Sequence, residues 1–545
     1  MQSDPHPVPP RADLPGHQVE NQPEPRAAPE LWQTDPALRE QVAAQGGDAG
    51  PVAEAARRFA TPESWHDAAE ARRDLPRLQV FDRAGRRLDE VRYAQGYHAT
   101  MARGAAVGYV GLAWEGAPGG HVSHAAMVYL LSQVEPGICC PLTMTYAAVP
   151  ALEADPELAA VWRPKLLSRV HDPAIAPVAA KQGATLGMAM TEKQGGSDVR
   201  ANSTSAVPDG AAWRLTGHKW FCSAPMSDGF LTLAQTANGL TCFLVPRWLE
   251  DGRNALHLVR LKDKLGNRAN GSAEIEYHGA LAWKLGDEGA GVRTIIRMVH
   301  HTRLDTAMAP AGLMRAALTE AAWWVSGRRT FQRRLVDQPL MRRVLADLAL
   351  DWEGALALGL RCARAFDGAG EADRAFARVA VALAKYLSNK RCVGVIAEAL
   401  ECLGGMGYVE DTPMPMLYRE APLNGIWEGS GNVICLDILR TLAREPLAGE
   451  ALQAELAAAR GADRYYDAAL AAHQARWPGL PEEAEARWFA ESLATLLTAA
   501  TLIRHAPAAV ADGYCAGRLG APRGALPGAV TGLDEAVLLD RLGAG

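Results

Sequence analysis

The sequence predicts a mainly helical protein with one β domain set into its middle. The hydrophobic period is helical from about Leu31 to Lys181, and again from near Gly291 to about Glu445. Between Gly187 and Val292 it changes to short, β-rich runs separated by turn residues, which fits a compact antiparallel β domain. The chain has 545 residues, too many for one ordinary core, and its composition (48% hydrophobic, 22% charged) is that of a globular protein. Several packed units are therefore expected.

The elements follow in order. Residues 1–30 hold eight prolines and little that can form a core, so they predict an extended or disordered arm, one that can pack along a partner subunit. Residues 31–181 predict a helical domain with breaks at Gly85 to Arg87, around Gly116 to Gly120 and at Pro136-Gly137. Residues 182–292 predict the β domain, with runs at Ala212 to Leu215, Phe230 to Ala234, Leu240 to Val245 and Ala273 to Tyr277. Turns are expected at Pro208 to Gly210, Asn238-Gly239 and Asn270-Gly271. Residues 293–445 predict a helical bundle whose long segments end at Pro339, at Gly368 and at Gly404-Gly405. Residues 446–545 are alanine-rich and predict a further helical extension interrupted by Pro478, Pro481 and the loose stretch Gly517 to Gly528.

Composition excludes several classes. A formal net charge of -6 gives no general attraction to nucleic acid or to an anionic membrane. Nine cysteines lie scattered without CxxC spacing, which argues for a reducing compartment and against a bound metal. Polar residues such as His6, Asp13 and Glu20 stand where a signal peptide needs an apolar stretch, and the longest apolar run, Leu493 to Ile503, is too short to span a bilayer. A cytoplasmic protein is the expectation. No GxGxxG or GxxxxGK[ST] segment supports a Rossmann or P-loop site.

Five segments carry the chemistry: MAMTEKQGGSDV (Met188 to Val199), GHKWFCS (Gly217 to Ser223), RRTF (Arg328 to Phe331), LGGMGY (Leu403 to Tyr408) and NGIWEGSGNV (Asn424 to Val433). Each has an ordinary reading beside a functional one. The glycine-rich turn is common hairpin chemistry, and Trp220 and Phe221 suit a strand facing the core. The arginines around Arg328 suit a solvated helix end, Gly404-Gly405 a helix C-cap, and Glu428 the cap of a helix starting near Asn432.

Together and in this order the segments resemble the acyl-CoA dehydrogenase flavoproteins. NQPEP (Asn21 to Pro25), GRRLDEVR (Gly85 to Arg92), RLKDKLGNR (Arg260 to Arg268) and YREAPLNGIWEGSGNV (Tyr418 to Val433) resemble its AidB-like, adaptive alkylation-response branch. The resemblance covers nearly the whole chain. It implies the acyl-CoA dehydrogenase fold, bound FAD, an acyl-CoA or similar thioester as substrate, and a homotetramer. Oxidising a thioester at its α and β carbons needs a base for the α proton and a cofactor to accept the β hydride.

By the resemblance, Glu428 is that base. Some members place the base on the helix that here carries His300 to Asp305, but the matching residue is Thr302, which has no carboxylate. Met190 and Thr191 would bond the pyrimidine end of the flavin, and Ser197 would lie near both the flavin and the thioester tail. Phe221 and Ser223 would stand where many members have tryptophan and threonine. Arg328, Thr330 and Phe331 would reach the cofactor of a neighbouring subunit. Gly404 and Gly405 would let its adenosine diphosphate approach, and Ser430 and Asn432 would offer further donors. Glu401 departs from the glutamine common there, and Arg303 is a candidate wall of the substrate cavity.

The same resemblance implies a second reading, a DNA-associated flavoprotein that protects DNA from alkylation. Beyond Pro446 the chain has twelve acidic residues, eight arginines and no lysine. Binding of double-stranded DNA there would therefore require Arg504, Arg518, Arg523 and Arg541 to cluster in space. Buttressing a tetramer interface is the other use open to the extension.

Overall fold

Where hydrophobic period and turn signals alternate most sharply, the chain forms a single mixed sheet. The computed structural model describes residues 10–24, 28–520 and 526–544. Its contacts divide the chain into two units: Asp67–Ala117 with Glu135–Thr302, and Met1–His66 with Pro118–Val134 and Arg303–Gly545.

The first unit holds seven main strands: β1 (Leu186–Ala189), β2 (Ser205–Asp209), β3 (Ala212–Ser223), β4 (Gly229–Thr236), β5 (Gly239–Pro246), β6 (Leu256–Leu261) and β7 (Ser272–Leu285). Their order is β6-β7-β3-β2-β4-β1, and β5 pairs with both β7 and β4, so the ring β7-β3-β2-β4-β5 closes on itself. Closure leaves few unpaired strand edges. Pairing is antiparallel except where β1 and the start of β2 run parallel to β4. Leu215, Phe230, Phe243, Leu258, Ile275 and Tyr277 share its core.

The four expected runs lie in β3, β4, β5 and β7. β1, β2 and β6 carry no such signal: β2 has one buried residue and contains Pro208, and β6 is buried on one face over half its length. Within the segment expected to be helical, Arg77–Phe81 and Arg87–Arg92 form a hairpin, and the break read at Gly85 is its turn. Charges on both faces hide its alternation.

The second unit is helical. Helix α1 (Gly291–Gly327) starts in the first unit and continues into this one, where α2 (Pro339–Asp367), α3 (Glu371–Glu401) and α4 (Gly431–Arg444) follow. The helix Gly120–Val134 is buried on every side. At Gly312 of α1 an added Cβ would lie 2.4 Å from the Tyr129 carbonyl of that helix, so only glycine permits this approach. The C-terminal part adds Pro446–Ala457, Arg464–Arg476, α5 (Ala486–His505), Ala508–Tyr514 and α6 (Glu535–Leu542). Among the described residues no helix is long and apolar enough to cross a membrane, and no His, Cys, Asp and Glu grouping suits a metal ion. All nine cysteines are free thiols and buried.

Of the four arginines that DNA binding would require to cluster, the three described are each bonded to carboxylates. Arg504 donates to Glu455, Arg518 to Asp347 and Asp351, and Arg541 to Glu353 and Glu40. Carboxylates of α2, of the helix Pro446–Ala457 and of Glu40 thus claim these cations: Arg541 is 6% exposed, and the Arg518 side chain 4%. Arg523 lies outside the described residues, as do residues 1–9 and 25–27 of the arm. The described arm is anchored to its own chain. Asn21 exchanges two hydrogen bonds with the backbone of Arg329, accepting at 2.7 Å and donating at 2.9 Å.

Candidate cofactor and active site

On the β-containing unit, β1 delivers Met190 and Thr191 to the turn that follows it. Asn202 Nδ2 donates to the Met190 carbonyl at 2.9 Å, and the Trp220 amide to the Thr191 carbonyl at 2.8 Å. The segments TEKQGGSD and GHKWF are therefore joined through the backbone. A fully buried ion pair joins them again: Lys219 Nζ lies 2.7 Å from Glu192 Oε1 and also donates to the Leu233 carbonyl. The other donors to Glu192 are the Ser203 amide and hydroxyl, the Thr204 amide and Gln194 Nε2. Burial alone would raise the Glu192 pKa, but Lys219 and these donors outweigh it and hold the carboxyl far below its ordinary range. Neither residue was singled out from the sequence. Their signal is a charged residue in each of two segments that must meet.

Phe221 does not face the core. Opposite the pairs Ala273 with Cys222 and Ile275 with Lys219, β3 has one residue more than β7, which is a β-bulge at Trp220-Phe221. The bulge keeps Lys219 and Cys222 buried and turns Phe221 outward, 52% exposed. Lys262 Nζ sits 3.4 Å from the Trp220 ring centre and 4.7 Å from that of Phe221, a cation over two aromatic faces. The Ser223 hydroxyl lies 3.0 Å from that of Ser272. Ser197 is exposed on the turn.

In the helical unit, Glu428 stands in a left-handed conformation with φ 58°, followed by Gly429 at 106°. A non-glycine residue held there costs about 1–3 kcal/mol and persists only when its surroundings impose it. Those surroundings are explicit. Arg303 Nε donates to the Glu428 carbonyl at 3.2 Å, while Lys385 Nζ donates to the carbonyls of Asn424 at 2.9 Å and Gly429 at 2.8 Å. Trp427 Nε1 bonds the Asn424 side chain at 2.8 Å. Glu428 does not cap a helix: α4 starts at Gly431 with Ser430 as its N-cap.

Arg303 pairs with Asp437 at 2.7 Å rather than with Asp305, which meets His124 at 2.8 Å. Burial opposes ionisation of Asp437, but Arg378 and Arg303 prevail and keep its carboxyl below the usual range. The Lys385 side chain is buried, and that burial pushes its ammonium down to about 7, with the Glu428 charge opposing the shift.

The remaining predicted residues line the surface of this unit. Ser430 is exposed, and its side chain makes no cap bond at the start of α4. Asn432 Oδ1 accepts from Arg487 of α5 at 3.1 Å, so the C-terminal extension reaches the WEGSGN segment, a contact the sequence did not announce. Gly404 and Gly405 are exposed with open space where a Cβ would stand, and they lie beyond the Cys402 cap of α3 rather than forming it. Arg328 donates to Asn21 and Gln22 of the arm. Thr330 is half-buried, and Phe331 is 91% exposed at φ 49°.

These groups fit FAD chemically. An outward-turned aromatic and positioned hydroxyls suit a flat ring. A helix start with an uncommitted serine, two bare glycines and a guanidinium suit a diphosphate.

Comparison with known proteins gives the family. Residues 21–173 match the adaptive response protein AidB N-terminal domain, 187–280 the acyl-CoA dehydrogenase middle domain and 289–443 the acyl-CoA dehydrogenase C-terminal domain. The AidB protein of Escherichia coli (strain K12) is 43% identical over 508 residues, covering 92% of this chain and 94% of that one. The structure of Caenorhabditis elegans ACDH-11 in complex with C11-CoA superposes with a TM-score of 0.82 at 27% identity, covering 99% and 98% of the two chains. That of Bd2924 in its apo-form gives 0.82 at 30% identity, covering 90% and 100%. The chain belongs to the acyl-CoA dehydrogenase family, on its AidB branch, and is an FAD-dependent, dehydrogenase-like oxidoreductase.

Proposed function

We propose that this flavoprotein oxidises an acyl-CoA thioester between its α and β carbons, with Glu428 as the base that takes the α proton. The observation that carries this reading is the strained turn at Glu428, held by Arg303 and Lys385 through the carbonyls of Asn424, Glu428 and Gly429. Backbone strain maintained by buried donors is the mark of a side chain held for use. Bound FAD supplies the acceptor for the hydride leaving the β carbon. Met190, Thr191, Ser197, Phe221 and Ser223 are assigned to the flavin ring, with Ser197 also at the thioester. Arg328, Thr330, Phe331, Gly404, Gly405, Ser430 and Asn432 are assigned to the diphosphate and adenosine. Arg303 is assigned to the wall of the substrate cavity, beside the turn that its Nε supports.

The test is an anaerobic panel of short and branched acyl-CoA thioesters followed by loss of the oxidised flavin absorbance. Glu428→Gln is expected to slow that loss by about 10²–10⁴-fold, the usual worth of a general base. Normal bleaching by the variant removes Glu428 from the role.

The exposed Phe331, Leu340 and Tyr408 support assembly into a homotetramer, and nine free thiols support a cytoplasmic location. The relation to AidB also supports a part in the alkylation response, with DNA as a partner. Of the four arginines that such binding would require to cluster, the three described, Arg504, Arg518 and Arg541, are committed to carboxylates, so this is the lesser reading.

A further inference from the structure

We propose that Lys385 is a positioning residue for Glu428, one whose ammonium fixes the turn and whose charge sets the pH at which the carboxylate is ready to act. The proposal rests on the reading that Glu428 is the base.

Lys385 lies on α3 in the run ALAKYL, flanked by residues that are buried on both sides, and is itself 2% exposed. A lysine in such a place ordinarily finds a carboxylate to bond. Its Nζ instead donates to two carbonyls, Asn424 and Gly429, which bracket Glu428 in sequence. The ammonium therefore spans the turn and fixes both of its ends. Three groups act on its charge: Glu428 from the turn favours the ammonium, while Arg303 from α1 and Lys390 from α3 itself oppose it. Arg303 is answered by Asp437, which also takes Arg378, so the carboxylate left to balance Lys385 is Glu428.

Geometry and charge separate here. A neutral amine keeps two N–H donors for the two carbonyls, so deprotonation leaves the turn in place but removes the positive charge beside Glu428. Burial holds the Lys385 ammonium down to about 7, which puts that loss near neutral pH. Sign follows directly: a nearby cation lowers a carboxylate pKa, and its removal raises it. Lys385 in its charged form favours the ionised form of Glu428.

The experiment measures the rate of flavin bleaching by one acyl-CoA between pH 5 and 9 in the intact FAD-loaded protein, with Lys385→Gln, Lys385→Arg and Glu428→Gln. Lys385→Gln, a donor without charge, is expected to move the acid limb of the profile upward by about one unit or more. Lys385→Arg, which keeps the charge, is expected to leave that limb where the parent has it. A structural role alone would lower the rate equally at every pH in both variants, and an unmoved limb in Lys385→Gln overturns the proposal. Normal bleaching by Glu428→Gln overturns the underlying reading instead. FAD content and thermal melting of each variant confirm the fold. Should Lys385→Gln fail to fold, Lys385→Arg with an acid limb shifted upward would equally overturn the charge assignment.

Discussion

Replacing Lys219 by methionine strands the Glu192 carboxylate in a site with no exposure, which is the costly way to break a buried ion pair. A loss of about 3–5 kcal/mol in urea unfolding is expected. The pair also predicts acid sensitivity. Because the folded Glu192 pKa is depressed, its stabilisation is complete above the unfolded carboxyl pKa of about 4.3 and is lost as pH falls further towards the folded value. Lys219→Met should abolish that part of the acid slope. This pair was not legible beforehand, since Glu192 and Lys219 are 27 residues apart and each sits in a segment that reads as polar turn or strand end. The segment that holds Glu428 stands out by its spelling. The left-handed backbone of that residue and the lysine behind it do not, because neither leaves a mark in local sequence.

Among the elements, the long helices were readable because their apolar stripes persist over many turns, and the runs in β3, β4, β5 and β7 because they are buried and bounded by turns. β1, β2 and β6 escaped because they are short or half-exposed and derive their order from neighbours on the sheet. The same dependence governs the C-terminal helices. α6 is fastened by Arg541 to Glu353 of α2 and to Glu40. Arg541→Met should cost about 3 kcal/mol or more and expose α6 to proteolysis ahead of the rest, read by limited digestion. Gly312→Val should lower the melting temperature, since its Cβ would meet the Tyr129 carbonyl at 2.4 Å and a backbone atom cannot swing aside.

For the whole molecule, charge is the informative quantity. A net charge of -6 and committed arginines predict that any duplex DNA binding is weak even at low salt and, with few phosphates neutralised, changes little as salt rises, as titration of the intact protein would show. Phe331→Glu places a charge on the most exposed large apolar side chain described, and should shift the protein to smaller species in sedimentation if that face joins subunits. The nine buried thiols have a practical side. Burial pushes Cys242, Cys362 and Cys402 up to about 12, so they present almost no thiolate at neutral pH. Maleimide should therefore leave the native protein nearly untouched. One cysteine placed on an exposed helix face would then carry a fluorophore alone, reporting subunit exchange or loop motion with every native cysteine still in place.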